Sequence, residues 1–134
     1  MGKFFFRLFT GMHAKIVKIT GGKLFGKSVI VLTHKGAKSG KVRDTPLMYF
    51  QDGDDYLIVG SAGGAPNNPG WYYNLMANPN TTITVQGKEM AVRASDAGAR
   101  RDELWAKIVA AEPRFGAYEG KTDRVIPVVV LEPQ

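Results

Sequence analysis

The chain has no cysteine among its 134 residues and only two histidines, His13 and His34, which stand far apart. A disulfide framework and a cysteine-based metal site are therefore excluded, and the histidines lack the spacing of metal ligands, so no zinc or iron chemistry is expected. A cysteine-free composition fits an intracellular, cytoplasmic protein. Acid is missing from the first third: residues 1–43 hold ten Lys or Arg and no Asp or Glu, so that portion carries +10 and the remainder −4, for a formal total of +6. Such a field attracts polyanions, whether nucleic acid, anionic lipid or a small ligand bearing phosphate and carboxylate groups. Internal repeats, low-complexity tracts and linkers are also absent. One domain of ordinary size follows, with residues 1–23 as a basic N-terminal helix and 24–134 as a β-rich body.

The N-terminal stretch MGKFFFRLFTGMHAKIVKITGGK is too short in its apolar run, and too interrupted by Arg7, Lys15 and Lys18, for a spanning helix or a signal peptide. It is expected to stay with the mature chain. Phe6 stands where a myristoylation pattern requires Ser or Thr. At helical spacing Phe5, Leu8, Phe9, Met12, Ile16 and Ile19 form one apolar stripe, with Lys3, Arg7, Lys15 and Lys18 beside it, which predicts an amphipathic helix over 4–19. Packing on the core is its plain role; peripheral contact with an anionic membrane surface is the alternative.

Beyond Gly21-Gly22 the period shortens to that of strands. SVIVLTH (28–34) and TPLMYF (45–50) flank the nonapeptide KGAKSGKVR, which packs four cations and two glycines into a hairpin tip. Backbone N–H groups through Gly36, Ser39 and Gly40, with the charges of Lys35, Lys38, Lys41 and Arg43, suit a phosphate or carboxylate. A solvated, lysine-protected hairpin is the competing reading. QDGDD (51–55) marks a second turn before YLIVGSA (56–62). ITV (83–85) and MAVRA (90–94) form a second hairpin about Gly87, and IPVVVLE (126–132) is a sixth strand. Consecutive strands so closely joined are expected to be antiparallel neighbours. The fold class is mainly β with α insertions: a small antiparallel barrel that closes its own edges.

Two helices interrupt the strands. One is expected to start with Asn68 as N-cap and Pro69 in its first turn and to stop at Pro79; the other runs over Ala97 to Ala111, capped by Asp96 and ended by Pro113. The second is assigned packing alone. In GSAGGAPNNPGWYYNL (60–75) glycines, a helix start and three aromatics meet at a strand end. Gly63 and Gly64 allow close backbone approach, and a helix N-terminus favours phosphate. Trp71, Tyr72 and Tyr73 cannot all face inward on two turns, so at least one borders a pocket or the surface. A short aromatic helix plugging a barrel end is the alternative role.

The order KGAKSGKVRDTPLMYF, DGDDYLIVGSAGGAPNNPGWYYNLMANP, a helix and TDRVIPVVVLEP closely resembles the deazaflavin-dependent nitroreductase family over roughly residues 24–133. That resemblance implies a split β-barrel of the FMN-binding type. It also implies a reduced coenzyme F420, with ribityl phosphate and polyglutamate tail, whose hydride passes to a quinone, nitroaromatic or other electron-poor acceptor. By the same correspondence Lys38, Ser39, Lys41 and Arg43 meet the phosphate and tail carboxylates, and Thr45, Pro46 and Met48 border the ring. Ser61, Ala62, Gly63, Gly64, Gly70, Trp71 and Asn74 complete the cofactor site. The chain departs from the family pattern where Ala37 replaces a base, Ala62 a lysine and Met48 a tyrosine, which implies either weaker tail binding or Lys35 as a substitute partner for the tail. The spaced tyrosines around the family's substrate correspond to Phe115, Tyr118 and Lys121, of which only Tyr118 keeps a hydroxyl.

The implied mechanism is one hydride transfer to an acceptor stacked on the ring, with Tyr118 or water giving the proton and Ser61 orienting the acceptor's oxygen. A core or rim tyrosine is the plain alternative for Tyr118. Three other functions compete: an FMN-dependent reductase or oxidase on the same barrel, a non-catalytic cofactor carrier, and a nucleic-acid binder, for which no reading motif is present. Within this superfamily a homodimer is a common assembly.

Overall fold

The computed structural model describes residues 23–24 and 27–134. The helix expected over 4–19 lies outside them. Among the described residues eight strands are formed: β1 (Lys23–Leu24), β2 (Lys27–Lys35), β3 (Val42–Met48), β4 (Phe50–Asp52), β5 (Asp55–Val59), β6 (Asn80–Val85), β7 (Lys88–Asp96) and β8 (Val128–Pro133). Three α-helices accompany them there: α1 (Gly70–Ala77), α2 (Arg101–Ala111) and α3 (Arg114–Glu119). Every strand pairing is antiparallel, and the molecule is mainly β, a curled antiparallel half-barrel with few helices. Among the described residues no helix is long and apolar enough to cross a membrane.

The β-branched runs pair as their composition demands, but the order departs from simple succession. The sheet runs β1-β2-β6-β7-β8-β5-β4, with β3 on β2. The expected single strand over 45–50 is broken at Tyr49. Its first part pairs with β2 (Val29↔Met48) and its second with β5 (Phe50↔Leu57), while the Tyr49 N–H bonds the Ser28 carbonyl at 3.2 Å. One bent segment thus joins the two ends of a sheet whose right-handed twist has curled it. Closely joined strands do pair as antiparallel neighbours, β2 with β3, β4 with β5 and β6 with β7, but the expected six strands become eight among the described residues, because an apolar run marks extended backbone and not where it breaks or which edge it finds. β8 likewise enters between β7 and β5, a placement no local pattern reveals.

Side chains on neighbouring positions go to opposite faces, as the pleat requires. Ile30, Leu32, Ile58, Ile83, Val129 and Leu131 form one cluster, and Trp71 and Leu75 of α1 fill it. Leu57, Val59 and Val128, each one position away, turn instead onto Leu104, Trp105 and Ile108 of α2 and Phe115 of α3. Burying each such side chain is worth about 1.5–3 kcal/mol, so α1 is tied to the sheet through Trp71 and Leu75, which are 7% and 0% exposed.

The helix ends differ from expectation by small, explicable amounts. Pro69 itself, extended at φ −66° and ψ 153°, is the residue before α1, and its carbonyl accepts from the Tyr72 N–H at 3.0 Å. Asn68 does not cap, because its Oδ1 is taken by the Arg124 guanidinium at 2.6 Å. Asp96 does receive a backbone N–H, that of Gly98 at 2.9 Å, and so opens the 3-10 turn Gly98–Arg100 that leads into α2. Pro113 follows α2 as expected but also starts α3, a helix whose six residues carry too little periodicity to announce it.

Candidate functional site

The tip of the β2–β3 hairpin spends most of its backbone donors on itself. The Gly36 N–H bonds the Lys41 carbonyl at 2.8 Å and the Gly40 N–H bonds the Gly36 carbonyl at 3.0 Å, while the Lys41 N–H meets Ser39 Oγ at 3.1 Å. The expected offer of Gly36 and Gly40 N–H groups to an anion is thus overturned by the closure of the turn. Side chains remain. Lys38, Ser39 and Arg43 line a cavity of about 590 Å³ with Gly36, Ala37, Gly70, Tyr73 and Asn74. Lys35 and Lys41 lie outside that lining.

What aims this loop is His34, which the sequence offered only as an unsuitable metal ligand. It is 4% exposed, and burial first, then the positive charge of Arg43, lowers its pKa to about 4, so the ring is neutral at pH 7. Asn74 Oδ1 accepts the Ala37 N–H at 2.9 Å, which turns the amide nitrogen toward His34 Nδ1, 3.0 Å away. Nδ1 must then accept, and Nε2 carries the proton that it donates to Thr45 Oγ1 at 2.8 Å. This chain of bonds pins the loop, β2 and β3 to α1. Asn74 faces the cavity and holds its wall; Thr45 belongs to the bracing and lines neither this cavity nor the next.

A second cavity of about 290 Å³ adjoins the first, and the opening turn of α1 separates them, Gly70 lining one and Trp71 the other. Pro46, Met48, Val59, Trp71 and Phe115 supply apolar walls, and Ser61, Ala62, Gly63, Arg114 and Tyr118 supply the rest. Ser61 and Tyr118, predicted together, therefore do share one space. Ser61 is 8% exposed. Tyr118 leans edge-on against Phe115, centroids 5.6 Å apart, with the Lys121 ammonium 5.8 Å over its ring. Arg114, which sequence reasoning did not single out, puts a cation on the rim with Nη2 3.8 Å from Met48 Sδ.

The three aromatics of α1 part ways, which settles their shared fate. Trp71 is core and wall, Tyr72 donates to Asp96 Oδ2 at 2.8 Å, and Tyr73, 51% exposed, borders the cationic cavity. The two glycines expected to admit a ligand also differ. A Cβ on Gly63 (φ +65°) would meet nothing within 4 Å, whereas one on Gly64 (φ +86°) would stand 2.9 Å from Lys121 Cβ and 3.1 Å from the Tyr118 carbonyl. Gly64 thus serves the packing of the turn on α3, and Gly63 the open face. Arg124 was also missed: its guanidinium reaches the carbonyls of Gly60, Ser61 and Ala65. No local pattern marks an arginine whose partners lie about sixty positions earlier.

Among the described residues no group of His, Asp and Glu is placed to hold a metal ion. The donors present fit a different guest. A cavity lined by Lys38 and Arg43 beside one walled by aromatic and aliphatic side chains with a few polar groups suits a ligand with an acidic end and a planar ring.

The chain matches the F420H(2)-dependent quinone reductase family over residues 5–133. It is 40% identical over 129 residues to an F420H(2)-dependent quinone reductase of Mycobacterium tuberculosis, covering 90% of this chain and 87% of the relative. Among solved structures it resembles an F420-H2 dependent reductase, FDR-A, at 39% identity and TM-score 0.70, over 78% of this chain and 93% of the other. A protein described as a domain-swapped dimer is similar at 34% identity and TM-score 0.72, over 92% and 98%. Sequence and fold together place this chain in the F420H(2)-dependent quinone reductase family of oxidoreductases.

Proposed function

We propose that the chain binds reduced coenzyme F420 on its split barrel and passes the hydride to a quinone, with nitroaromatics and other electron-poor compounds as further acceptors. The observation that carries this is the pairing of the two cavities: Lys38 and Arg43 on one side of the α1 start, apolar walls with Ser61, Tyr118 and Arg114 on the other. Lys38, Ser39 and Arg43 would hold the phosphate and tail carboxylates, and Lys41 and Lys35 would add field from outside the lining. Pro46, Met48, Trp71 and Gly63 would border the ring, with Ala62, Gly70 and Asn74 in the walls, and Thr45 and Gly64 would act from behind them, Thr45 through His34 and Gly64 through its packing on α3.

When bound, the deazaflavin supplies the hydride. The protein's part is to seat the acceptor against it, and Ser61 Oγ orients the acceptor's oxygen. The Tyr118 hydroxyl gives that oxygen a proton as negative charge develops on it, and solvent restores the phenol. Trp71, Met48 and Phe115 exclude water from the encounter. Orientation of this kind lowers barriers by about 7–11 kcal/mol in well-positioned systems.

The test is a fluorescence titration with F420, run in parallel with FMN, followed by a screen of the reduced cofactor against quinones and nitroaromatics. Tight F420 binding with quinone-dependent oxidation is expected. Preference for FMN would replace the reading by a flavin enzyme, and binding without oxidation across the panel would make the protein a carrier. The domain-swapped relative supports a homodimer as the assembly to look for, by light scattering.

A further inference from the structure

Arg124 lies on the segment between α3 and β8, half-buried, and every hydrogen bond of its guanidinium goes to a neutral oxygen of one loop. Nε donates to the Ala65 carbonyl at 2.9 Å, Nη1 to the Gly60 carbonyl at 3.1 Å and to Asn68 Oδ1 at 2.6 Å, and Nη2 to the Ser61 carbonyl at 2.8 Å. No carboxylate of the described residues pairs with it.

Besides this grip, the loop is held at its start by the Gly60 N–H on the Pro127 carbonyl at 2.9 Å and at Gly64 by close packing on Lys121 and Tyr118. Ala62, Gly63 and Gly64 run consecutively at φ +46°, +65° and +86°, a left-handed conformation that costs an alanine energy and that glycines adopt only as one choice among many. Within the turn, two bonds oppose that freedom: Gly64 N–H to the Ser61 carbonyl and Ala65 N–H to the Ala62 carbonyl. Yet Ser61, Ala62 and Gly63 form a wall of the cavity that also holds Met48, Trp71 and Tyr118.

We propose that Arg124 is a positioning residue for the acceptor side of the site: its planar fork gathers four oxygens of the Gly60–Asn68 loop and so holds the Ser61–Gly63 wall in place. The inference rests on the functional reading above. A lysine cannot substitute, because a single ammonium on a flexible stem cannot serve four acceptors spread around a plane. In the functional reading above Gly63 borders the ring, but the charged end of the cofactor is held by a different loop, through Lys38 and Arg43, so loss of the clamp acts on turnover more than on capture.

The experiment compares wild type, R124K and N68A. R124K is expected to lose about ten-fold or more in kcat through misplacement of the wall, while the Kd for F420 stays within about three-fold because the basic loop is untouched. N68A, which removes one acceptor of four and spares the arginine, is expected to show a smaller loss of the same kind and serves as the readable variant should R124K fail to fold. Hydrogen exchange provides a readout without turnover: amides of residues 61–65 should exchange faster in R124K, with β2 and β6 unchanged. Wild-type kcat and unaltered loop exchange in R124K would overturn the proposal. So would a joint loss of kcat, F420 affinity and sheet protection, which is the mark of a fold-wide role. If wild type itself neither binds nor oxidises the reduced cofactor, the functional reading fails, and selective loosening of 61–65 still decides whether Arg124 holds the wall.

Discussion

At the scale of single residues one brace of the site, His34, carries no charge at neutral pH. Its folded pKa of about 4 lies below the unfolded value near 6.5, so the unfolded chain binds the extra proton between those values. The stability His34 contributes is complete above about pH 6.5 and is lost as pH falls through about 4. Unfolding midpoints in urea at pH 7, 6, 5 and 4 should fall across that window, and H34A should flatten this part of the profile. At pH 7 the same substitution is expected to cost about 2–3 kcal/mol, because Thr45 and Asn74 lose their buried partner. Tyr118 gives a second residue-scale prediction. With Phe in its place the quinone reductase rate should drop by about a hundred-fold, the lower range of general acid contributions, with F420 affinity held. An unchanged rate would hand the proton to water.

Among elements, the hairpin and the helices divide the work. Arg43 stands in the lining of the cationic cavity and Lys41 outside it, although both were drawn from one basic run. R43A should therefore weaken F420 binding by about ten-fold, the loss of one charge-assisted contact, and K41A by about two-fold or less, as for an exposed charge. Equal effects in a fluorescence titration would show that the loop rearranges on binding. α2 has the opposite profile. Ile108 is 1% exposed in the cluster beneath the sheet and lines neither of the two cavities assigned to the cofactor and its acceptor. I108A should cost about 2–4 kcal/mol in a melt and leave the Kd for F420 where it was. Tyr72 tethers α1 to β7 through Asp96, and burial together with that bond raises its pKa to about 12, so the tether holds throughout the range in which the enzyme would be assayed.

For the whole molecule the charge asymmetry is the governing feature. The first 43 residues carry +10 and the rest −4, and the cationic cavity is built from the basic portion. Association with a polyanionic cofactor should be steered by that field. The association rate is expected to fall by about ten-fold between low salt and physiological ionic strength, where the Debye length is about 8 Å, with the dissociation rate nearly constant. Stopped-flow measurement of both rates in graded salt checks it. A salt-independent association would mean that capture is governed by the opening of the cavity.

How much of this was legible beforehand can be judged from particular residues. The basic hairpin, the strand runs, the second hairpin about Gly87 and the α1 stop at Pro79 follow from local chemistry: turn residues, β-branched runs and the prolines act over a few positions. The likeness of the ordered motifs carried the family, cofactor and reaction. Three-dimensional proximity did not follow. That TPLMYF would bend at Tyr49 to join two ends of the sheet, that β8 would slip between β7 and β5, and that Arg124 would reach back to Gly60 and Asn68 all depend on contacts between distant segments.

The amino-acid order alone thus determined which stretches would be extended, which would turn, where positive charge would gather and which family the chain resembles, since each of these is a local property or a matter of matching letters. Only the tertiary structure decided that Gly36, Gly40 and Lys41 spend their N–H groups within the turn while the side chains of Lys38, Ser39 and Arg43 line a cavity. It also made His34 a brace and set that cavity on one side of the α1 start and the space shared by Ser61 and Tyr118 on the other. The reason is physical: burial and long-range hydrogen bonding choose among the partners a residue could have, and they exist only once the sheet has closed.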